Sequence, residues 1–277
     1  MTSLKKKGLI VGLGLAAAAL PLYMIAPARS SAGQKARYRG VNFAHRGLHT
    51  RDRAVPENSL AAFRLAAEKG YGMELDIQLS KDGYVVVFHD DTLERVCGVE
   101  GKVSDYPYSE LKTFRLCGTE ETIPLFSEVL DTVNGRGPIL CELKSCGKRS
   151  RELCEKAYGF ISEYRGDLCV ESFDPTILQW FRFYAPELFR GQLVAPFKDY
   201  ANSSAGRFTA FLLSRGLINF VSRPNFIAYK AGYQPPTIRL AMLFGARKFL
   251  WTSHEPRNED GNDAVIFEYY KPKPRFK

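Results

Sequence analysis

Short β-branched or aromatic runs alternate with helix-sized segments along most of the chain, and this alternation constrains the fold more than any other feature. The segments between the runs, such as ENSLAAFRLAAEKG and SRELCEKAYGFISEYRG, carry apolar residues at three- and four-residue spacing, which is typical of amphipathic helices. Strands that alternate with helices predict a parallel sheet, and eight strands are the number that a (β/α)8 barrel needs. We therefore predict an α/β fold, a (β/α)8 TIM barrel. The eight runs are VNFAHR (41–46), GMELDIQL (72–79), GPILCELK (137–144), DLCVESF (167–173), RGQLVA (190–195), NFIAYK (225–230), KFLWTS (248–253) and DAVIFEYY (263–270).

The second unit of this predicted barrel is longer than the others. GYVVVFHDD (83–91) has the composition of an additional short strand, and residues 94–123 look like a small insertion before the next helix. A chain of 277 residues can form a single barrel of this kind. We predict one barrel domain over residues 40–277, preceded by a linker at 30–39.

The N-terminus differs from the rest of the chain in composition. No charge lies between Lys7 and Arg29, and a helix over that run would span roughly 30 Å, the thickness of a bilayer core. We predict that residues 1–29 form an N-terminal hydrophobic helix that anchors the protein to a membrane. A signal segment cleaved at the A-x-A sequence of Ala26 and Ala28 is the alternative, although the apolar region of a signal usually has only about 7–15 residues. Basic residues flank the run on both sides, so the side of the membrane stays open.

The net charge indicates which classes of partner the protein can bind, and the cysteine positions indicate whether disulfides form. The formal net charge of +9 suits phosphate substrates or anionic lipid head groups, and the absence of a basic run interleaved with aromatics speaks against a nucleic-acid partner. The six cysteines form neither a C-x-x-C pair nor a Cys/His zinc spacing. Cys141 and Cys169 lie in apolar strand-like runs, where a thiol packs as a small apolar group. We expect buried thiols rather than disulfides.

Acidic side chains occur at the ends of two predicted strands. Glu74 and Asp76 are two residues apart in MELDIQ, so their side chains point to the same face of the strand. A lone pair of this kind is most simply a solvated strand edge, but Glu142 has the same position at the end of the next strand. Active sites of TIM barrels lie at the C-terminal ends of the strands, and three carboxylates there predict a site for a divalent metal, Mg²⁺ or Ca²⁺.

Basic and imidazole groups accompany these acids. Lys144 lies two residues after Glu142, where it can form a salt bridge or hold a phosphate oxygen beside the metal. His45 and His89 end predicted strands, and two histidines at the metal's side of the barrel predict a general acid and a general base. Arg46 offers a bidentate fork to phosphate.

Three nearby residues have simpler explanations. His49 lacks comparable positional support, so we expect it to be a surface or loop residue. Asn58 follows Pro56 at a predicted helix start, where a capping role is a sufficient explanation. Glu57 can equally well place a charge in the first turn of that helix or brace Arg46 or the metal.

Five sequence blocks, HRG, PENSLAAF, ELDIQLSKDGYVVVFHD, CELK and ESFDP, resemble the glycerophosphodiester phosphodiesterase family in order and spacing, over about residues 40–270. The resemblance implies a TIM barrel with a divalent metal. It also implies that Glu171 of ESFDP is a substrate group or supports a ligand, and that Trp251 lies near the substrate. The last strand carries Glu268 where the family has an aspartate, which puts the outer substrate pocket in doubt. The positions that match metal ligands are Glu74, Asp76 and Glu142, those that match the acid/base pair are His45 and His89, and those that match phosphate contacts are Arg46 and Lys144.

The resemblance implies metal-dependent hydrolysis of glycerophosphodiesters to sn-glycerol 3-phosphate and an alcohol. Two alternatives stay open. One is lysophospholipase D-like or phospholipase C-like action on membrane lipid, which the N-terminal anchor would favour. The other is a barrel that only binds phosphoglycerol groups, although such a protein would need no acid/base pair.

Overall fold

The computed structural model describes residues 20–201 and 206–276, which form one closed barrel. Eight parallel strands are hydrogen-bonded in a ring, because β1 pairs with β2 on one side and with the last strand, β9, on the other. The prediction of a (β/α)8 barrel with these eight strands is confirmed. The strands are β1 (Val41–Ala44), β2 (Gly72–Leu79), β3 (Val85–Val87), β4 (Ile139–Leu143), β5 (Leu168–Ser172), β6 (Arg190–Val194), β7 (Phe226–Lys230), β8 (Arg247–Ser253) and β9 (Ala264–Phe267).

Helices pack around the outside of this ring. Three of them begin with side-chain caps: Ser31 accepts a hydrogen bond from the amide of Gln34, Ser59 accepts one from the amide of Ala62, and Asp174 accepts one from the amide of Thr176. These bonds satisfy amide donors that the first turn of a helix leaves unpaired. The helices are α1 (Ala32–Tyr38), α2 (Leu60–Glu68), α3 (Glu94–Cys97), α4 (Tyr108–Leu111), α5 (Phe126–Val133), α6 (Ser150–Glu163), α7 (Pro175–Tyr184), α8 (Arg207–Ser214), α9 (Asn219–Ser222) and α10 (Pro236–Leu243).

The two faces of each strand belong to different packing layers, because side chains alternate along a strand. On β2, Met73 and Leu75 belong to the core between strands and helices. Phe226 and Phe249 belong to a second core, in which their rings stack with centroids 4.1 Å apart. Gly191 lies beside Phe226 in the neighbouring strand, and a Cβ there would be 2.0 Å from the Phe226 ring. A glycine is therefore required at this position.

The insertion after the second barrel strand has its own small core. The additional strand predicted at 83–91 is the three-residue strand β3, which pairs antiparallel with β2. Residues from this strand, from the loop after it and from α3 and α4 bury a separate apolar cluster that includes Val86, Phe88, Val96 and Leu111. The insertion is thus a compact lobe beside β2.

All six cysteines are free, which agrees with the expectation of thiols rather than disulfides. Cys141, Cys154 and Cys169 are buried, and the other three are partly exposed. The two cysteines in strands belong to the apolar packing of the barrel.

The segment before the first barrel strand packs against the N-terminal end of the barrel. Residues 20–25 are helical, and the Ile25 side chain is buried. The side-chain Nδ2 of Asn219 donates to the Ile25 carbonyl at 3.0 Å, and Nη1 of Arg223 donates to the Tyr23 carbonyl at 3.0 Å. The predicted linker at 30–39 contains α1. These contacts attach the segment to α9 and to the turn that leads from it into β7.

The predicted anchor, residues 1–29, falls largely on residues 1–19, which lie outside the described part of the chain. Within residues 20–201 and 206–276, no helix is long and apolar enough to cross a membrane. The anchor and the domain boundaries stay predictions.

Candidate active site

Three carboxylates converge at the C-terminal end of the barrel, as predicted. Glu74 and Asp76 point to the same side of β2, and Glu142 lies beside Asp76 in the adjoining strand β4. All three side chains are buried, and one oxygen from each lies within 4.8 Å of the others. This set of hard oxygen donors has the composition of a site for a divalent cation.

The acids have unequal affinities for protons. Burial raises the pKa of Glu74 well above its usual range, and the nearby charges of Asp76 and Glu142 raise it further. Burial also acts on Asp76, but the ammonium group of Lys144, together with His89 and Arg46, holds the pKa of Asp76 well below its usual range. The cluster therefore carries negative charge that a cation would stabilise.

Two further side chains complete this acidic end. Glu171 on β5 lies beside Glu142, is buried, and has an Oε2 atom without a hydrogen-bond partner. Lys144 Nζ lies 2.8 Å from Asp76 Oδ1 and 2.8 Å from Glu142 Oε1. Of the two roles considered for this lysine, the salt bridge is the one formed in the structure, at a position beside the phosphate site implied by the resemblance.

Asn58 has a role that the sequence analysis missed. The expected cap is wrong, because Ser59 is the residue that caps α2. Asn58 instead adopts a left-handed backbone conformation, with φ of 55°, and its Nδ2 donates to Asp76 Oδ2 at 2.9 Å. The amide thus orients one of the candidate ligands. Only the tertiary fold brings these residues, eighteen positions apart, together.

His45 follows directly on β1 and is held by the residue after β9. The two strands pair in parallel with Ala44 beside Phe267, which places His45 next to Glu268. His45 Nδ1 lies 3.1 Å from Glu268 Oε1. Burial lowers the pKa of His45 below its usual range, and the hydrogen bond to Glu268 partly opposes this effect.

His49 contacts the same carboxylate. It lies in a loop, as expected, but its imidazole is largely buried and does not lie at the surface. Its Nε2 lies 3.1 Å from Glu268 Oε1, and only 6% of its side chain is exposed. Glu268, which stands where the resemblance expects an aspartate, is thus a carboxylate shared by two histidines. Hydrogen bonds from His45 and His49 hold the pKa of Glu268 well below its usual range against the effect of burial.

His89 is held in a similar way. Its Nδ1 lies 2.6 Å from Asp90 Oδ1, and the backbone before it is fixed by the amide of Phe88, which donates to the Asp76 carbonyl at 2.9 Å. Both predicted acid/base histidines therefore bond a carboxylate through Nδ1. This leaves Nε2 of each ring available for a substrate.

Arg46 stands at the start of a tight turn beside the carboxylates. Its amide donates to Glu74 Oε2 at 2.9 Å, and its Nη1 donates to Glu57 Oε1 at 2.6 Å. Of the roles considered for Glu57, the brace on Arg46 is present. Gly47 has φ of 79° and lies against α2, where a Cβ would be 2.8 Å from the Ala62 Cβ. The turn therefore requires glycine.

Aromatic side chains form the opposite side of the barrel mouth. The Trp251 ring lies edge-on to Phe173, with centroids 5.7 Å apart, and its Nε1 donates to the Ala228 carbonyl at 3.1 Å. Phe173 also contacts the ring of Tyr200. Phe197 and Phe208, in the segment after β6, are exposed. The mouth thus has an acidic side and an apolar side.

Comparisons with known proteins place the sequence in one enzyme family. A sequence profile of the glycerophosphoryl diester phosphodiesterase family matches residues 45–270. A glycerophosphodiester phosphodiesterase of Bacillus altitudinis is 36% identical over 157 residues, which cover 53% of this chain and 63% of that enzyme. The alignment thus spans less than two thirds of that relative.

Solved structures share the fold over most of the chain. A glycerophosphodiester phosphodiesterase from Thermotoga maritima is 30% identical with a TM-score of 0.61, covering 82% of this chain and 93% of that one. A phosphodiesterase from Oleispira antarctica, solved in complex with the product sn-glycerol-3-phosphate, is 23% identical with a TM-score of 0.69, covering 84% and 94%. At that identity the second likeness shows the fold alone.

Proposed function

Because the chain belongs to the glycerophosphoryl diester phosphodiesterase family, we propose that it hydrolyses glycerophosphodiesters to sn-glycerol 3-phosphate and an alcohol. The observation that carries this proposal is one barrel mouth in which three buried carboxylates face two histidines, each held through Nδ1 by a further carboxylate. A barrel that only bound phosphoglycerol groups would not need two histidines that are each bonded to a carboxylate through Nδ1.

Glu74, Asp76 and Glu142 would hold a divalent metal. The fit rests on their chemistry, since three buried carboxylates with mutual repulsion bind a hard cation favourably. Mg²⁺ and Ca²⁺ both prefer such oxygen donors. When bound, the metal supplies Lewis-acid polarisation of a phosphoryl oxygen.

Arg46 and Lys144 would bind the phosphate. The Arg46 side chain is already oriented by Glu57 at 2.6 Å, so little side-chain freedom is lost when a phosphate oxygen arrives. Lys144 bonds two of the acids, and its ammonium group can turn one donor toward the phosphate. Both cations offset the negative charge that develops on the phosphoryl oxygens.

His45 and His89 would transfer the protons. The glycerol hydroxyl next to the phosphate attacks phosphorus, and one histidine takes the hydroxyl proton. The bond from phosphorus to the alcohol oxygen breaks, and the other histidine protonates that oxygen. The second histidine then takes a proton from water as the water oxygen attacks phosphorus, and the first histidine protonates the glycerol 2-oxygen as its bond to phosphorus breaks. This gives sn-glycerol 3-phosphate and restores both histidines. Carboxylates on both Nδ1 atoms favour this use of Nε2, because they fix the tautomer and stabilise the imidazolium.

A lysophospholipid is the second candidate substrate. The aromatic rings of Phe173 and Trp251 at the mouth favour it, and Phe197 and Phe208 in the segment after β6 add exposed apolar surface, because an acyl chain loses contact with water on such a surface. We further propose that residues 1–29 anchor the protein to a membrane, which would bring such a substrate within reach.

A substrate panel tests the proposal. The full-length protein is incubated with sn-glycero-3-phosphocholine, sn-glycero-3-phosphoethanolamine and a lysophosphatidylcholine, and the products are identified by ³¹P NMR. We expect glycerol 3-phosphate from the first two. Lysophosphatidic acid from the third would support the second candidate, and phosphocholine in place of glycerol 3-phosphate would contradict the proposed bond cleavage.

A further inference from the structure

Arg95 lies at the edge of the candidate site and bonds two carboxylates at once. Its Nη1 and Nη2 donate to the two oxygens of Glu57, both at 2.7 Å. Its Nε donates to Asp90 Oδ2 at 2.5 Å. Three of its five donor hydrogens are thus committed to two acids from different loops.

Each of these acids holds a residue to which we assign a part in the reaction. Glu57 accepts a hydrogen bond from Arg46 at 2.6 Å, and Asp90 Oδ1 lies 2.6 Å from His89 Nδ1. The ion pairs therefore form one chain, which runs from Arg46 through Glu57, Arg95 and Asp90 to His89. Arg95 is the middle member of that chain.

We propose that Arg95 is a positioning residue that fixes the position of the phosphate-binding Arg46 relative to the acid/base residue His89. The proposal rests on the proposed function. Arg95 acts on the substrate only through Glu57 and Asp90. Its contribution is to fix both carboxylates, and thereby both working side chains, to one rigid planar group.

A guanidinium group is suited to this role in a way that an ammonium is not. It is planar and presents its donors in a fixed fork, which matches a carboxylate in two parallel bonds. Lysine could approach both acids but could not fix their relative orientation. Although burial opposes ionisation, Arg95 and Arg46 hold the pKa of Glu57 at about 2, so this acid is charged at neutral pH.

The inserted lobe holds Arg95 in place. Arg95 belongs to the short helix α3, and both Leu93, which precedes the helix, and Val96 within it are buried in the core of the lobe. The amide of Leu93 donates to the Gly101 carbonyl at 3.0 Å, which ties the start of the helix to the following loop. The lobe between β2 and α5 therefore gives the site a fixed outer support. The Arg95 side chain is 44% exposed, so the loss of this side chain should not unfold the protein.

Coupling between Glu57 and Asp90 tests this role. Glu57→Gln and Asp90→Asn act on different working residues, so their effects should multiply if nothing links them. If Arg95 links them, the double variant should retain more kcat/KM than the product of the two single effects. The same two changes made in Arg95→Ala should then multiply, because the link is gone.

The magnitudes follow from the usual effect of residues that support an active site. We expect Arg95→Ala to lower kcat/KM for glycerophosphocholine by about 10–100-fold, with Arg95→Lys recovering less than half of that loss on a logarithmic scale. Guanidinium chloride at millimolar concentration should restore part of the activity of Arg95→Ala and none of any other variant, which is a result that general destabilisation cannot produce.

Arg115→Ala is the matched control, because Arg115 belongs to the same lobe and pairs with the exposed Glu120. It should keep wild-type activity and show no rescue by guanidinium. Circular dichroism and thermal melting establish whether each variant is folded. If Arg95→Ala does not fold, the coupling is measured in Arg95→Lys instead. Effects that multiply with Arg95 present, or coupling that persists without it, would overturn the proposal. Absence of turnover by the wild-type protein would instead overturn the proposed function.

Discussion

Replacing Glu268 by glutamine tests the arrangement in which one carboxylate serves two histidines. Glu268 Oε1 accepts from His45 Nδ1 and His49 Nε2, both at 3.1 Å, and the carboxylate is largely buried. Glutamine keeps an oxygen at this position but removes the charge. A hydrogen bond to a charged group contributes about 1.5–3 kcal/mol and a neutral one about 0.5–1.5 kcal/mol. The substitution therefore removes about 1–1.5 kcal/mol from the bond to His45.

That loss converts to a rate. Each 1.36 kcal/mol corresponds to tenfold, so Glu268→Gln should lower kcat/KM by about 5–13-fold. Glu268→Ala should cost more, because it leaves both ring nitrogens without an acceptor. Turnover of glycerophosphocholine is followed through the glycerol 3-phosphate released. Glu255→Gln is the control, since Glu255 follows β8 as Glu268 follows β9 but pairs with the exposed Arg257.

The pH profile of Glu268→Gln gives an independent check. Burial lowers the pKa of His45, and the hydrogen bond to Glu268 partly raises it again. Loss of the carboxylate should therefore lower this pKa further. If His45 is the base, the acidic limb of kcat/KM moves to lower pH, and if it is the acid, the basic limb does. Wild-type activity and an unmoved profile in Glu268→Gln would refute the role assigned to this pair.

Three further results are expected. Asn58→Gly removes the amide donor without straining the backbone at φ of 55°, and metal affinity measured by calorimetry should fall about 10–100-fold; unchanged affinity would contradict the contact. His45→Ala and His89→Ala should each lower kcat by about 10²–10⁴-fold on a glycerophosphodiester of a simple alcohol, and with p-nitrophenol as leaving group only the variant that lacks the base should stay impaired; near-normal turnover by both would contradict the assignment. Deletion of residues 1–29 removes the buried Ile25 and its backbone contacts and should lower stability by about 2–4 kcal/mol, whereas deletion of residues 1–19 should not; equal melting temperatures would show that the contacts contribute nothing.

The barrel could be predicted because its pattern is local. Each strand is a short apolar run, and the alternation of side chains places Glu74 and Asp76 on one face without knowledge of the rest of the fold. Glu142 follows from the parallel arrangement of the next strand. These inferences need only the period of a strand and the order of the elements.

The supporting residues could not be predicted, because they depend on how loops meet in space. The sequence suggests a cap at Asn58, and only the left-handed backbone conformation and the neighbouring Asp76 reveal another role. His49 becomes significant when the end of β9 places Glu268 beside it. Arg95 follows a loop in the inserted lobe, and its exposed, charged character resembles that of any surface arginine. A charged residue shortly after a candidate histidine, as in HDDTLER, is the one signal that the sequence offered.

Release of glycerol 3-phosphate before and after removal of divalent metal tests the central claim most directly. The full-length protein is dialysed against EDTA and assayed on glycerophosphocholine, alone and with Mg²⁺ or Ca²⁺ restored, beside Glu142→Gln as a variant with one candidate ligand altered. The account predicts that turnover is lost on dialysis, returns with one of the two ions in the wild-type protein, and returns poorly in Glu142→Gln because one oxygen ligand is replaced by a weaker donor. Full turnover after dialysis, or equal recovery by both proteins, would contradict it.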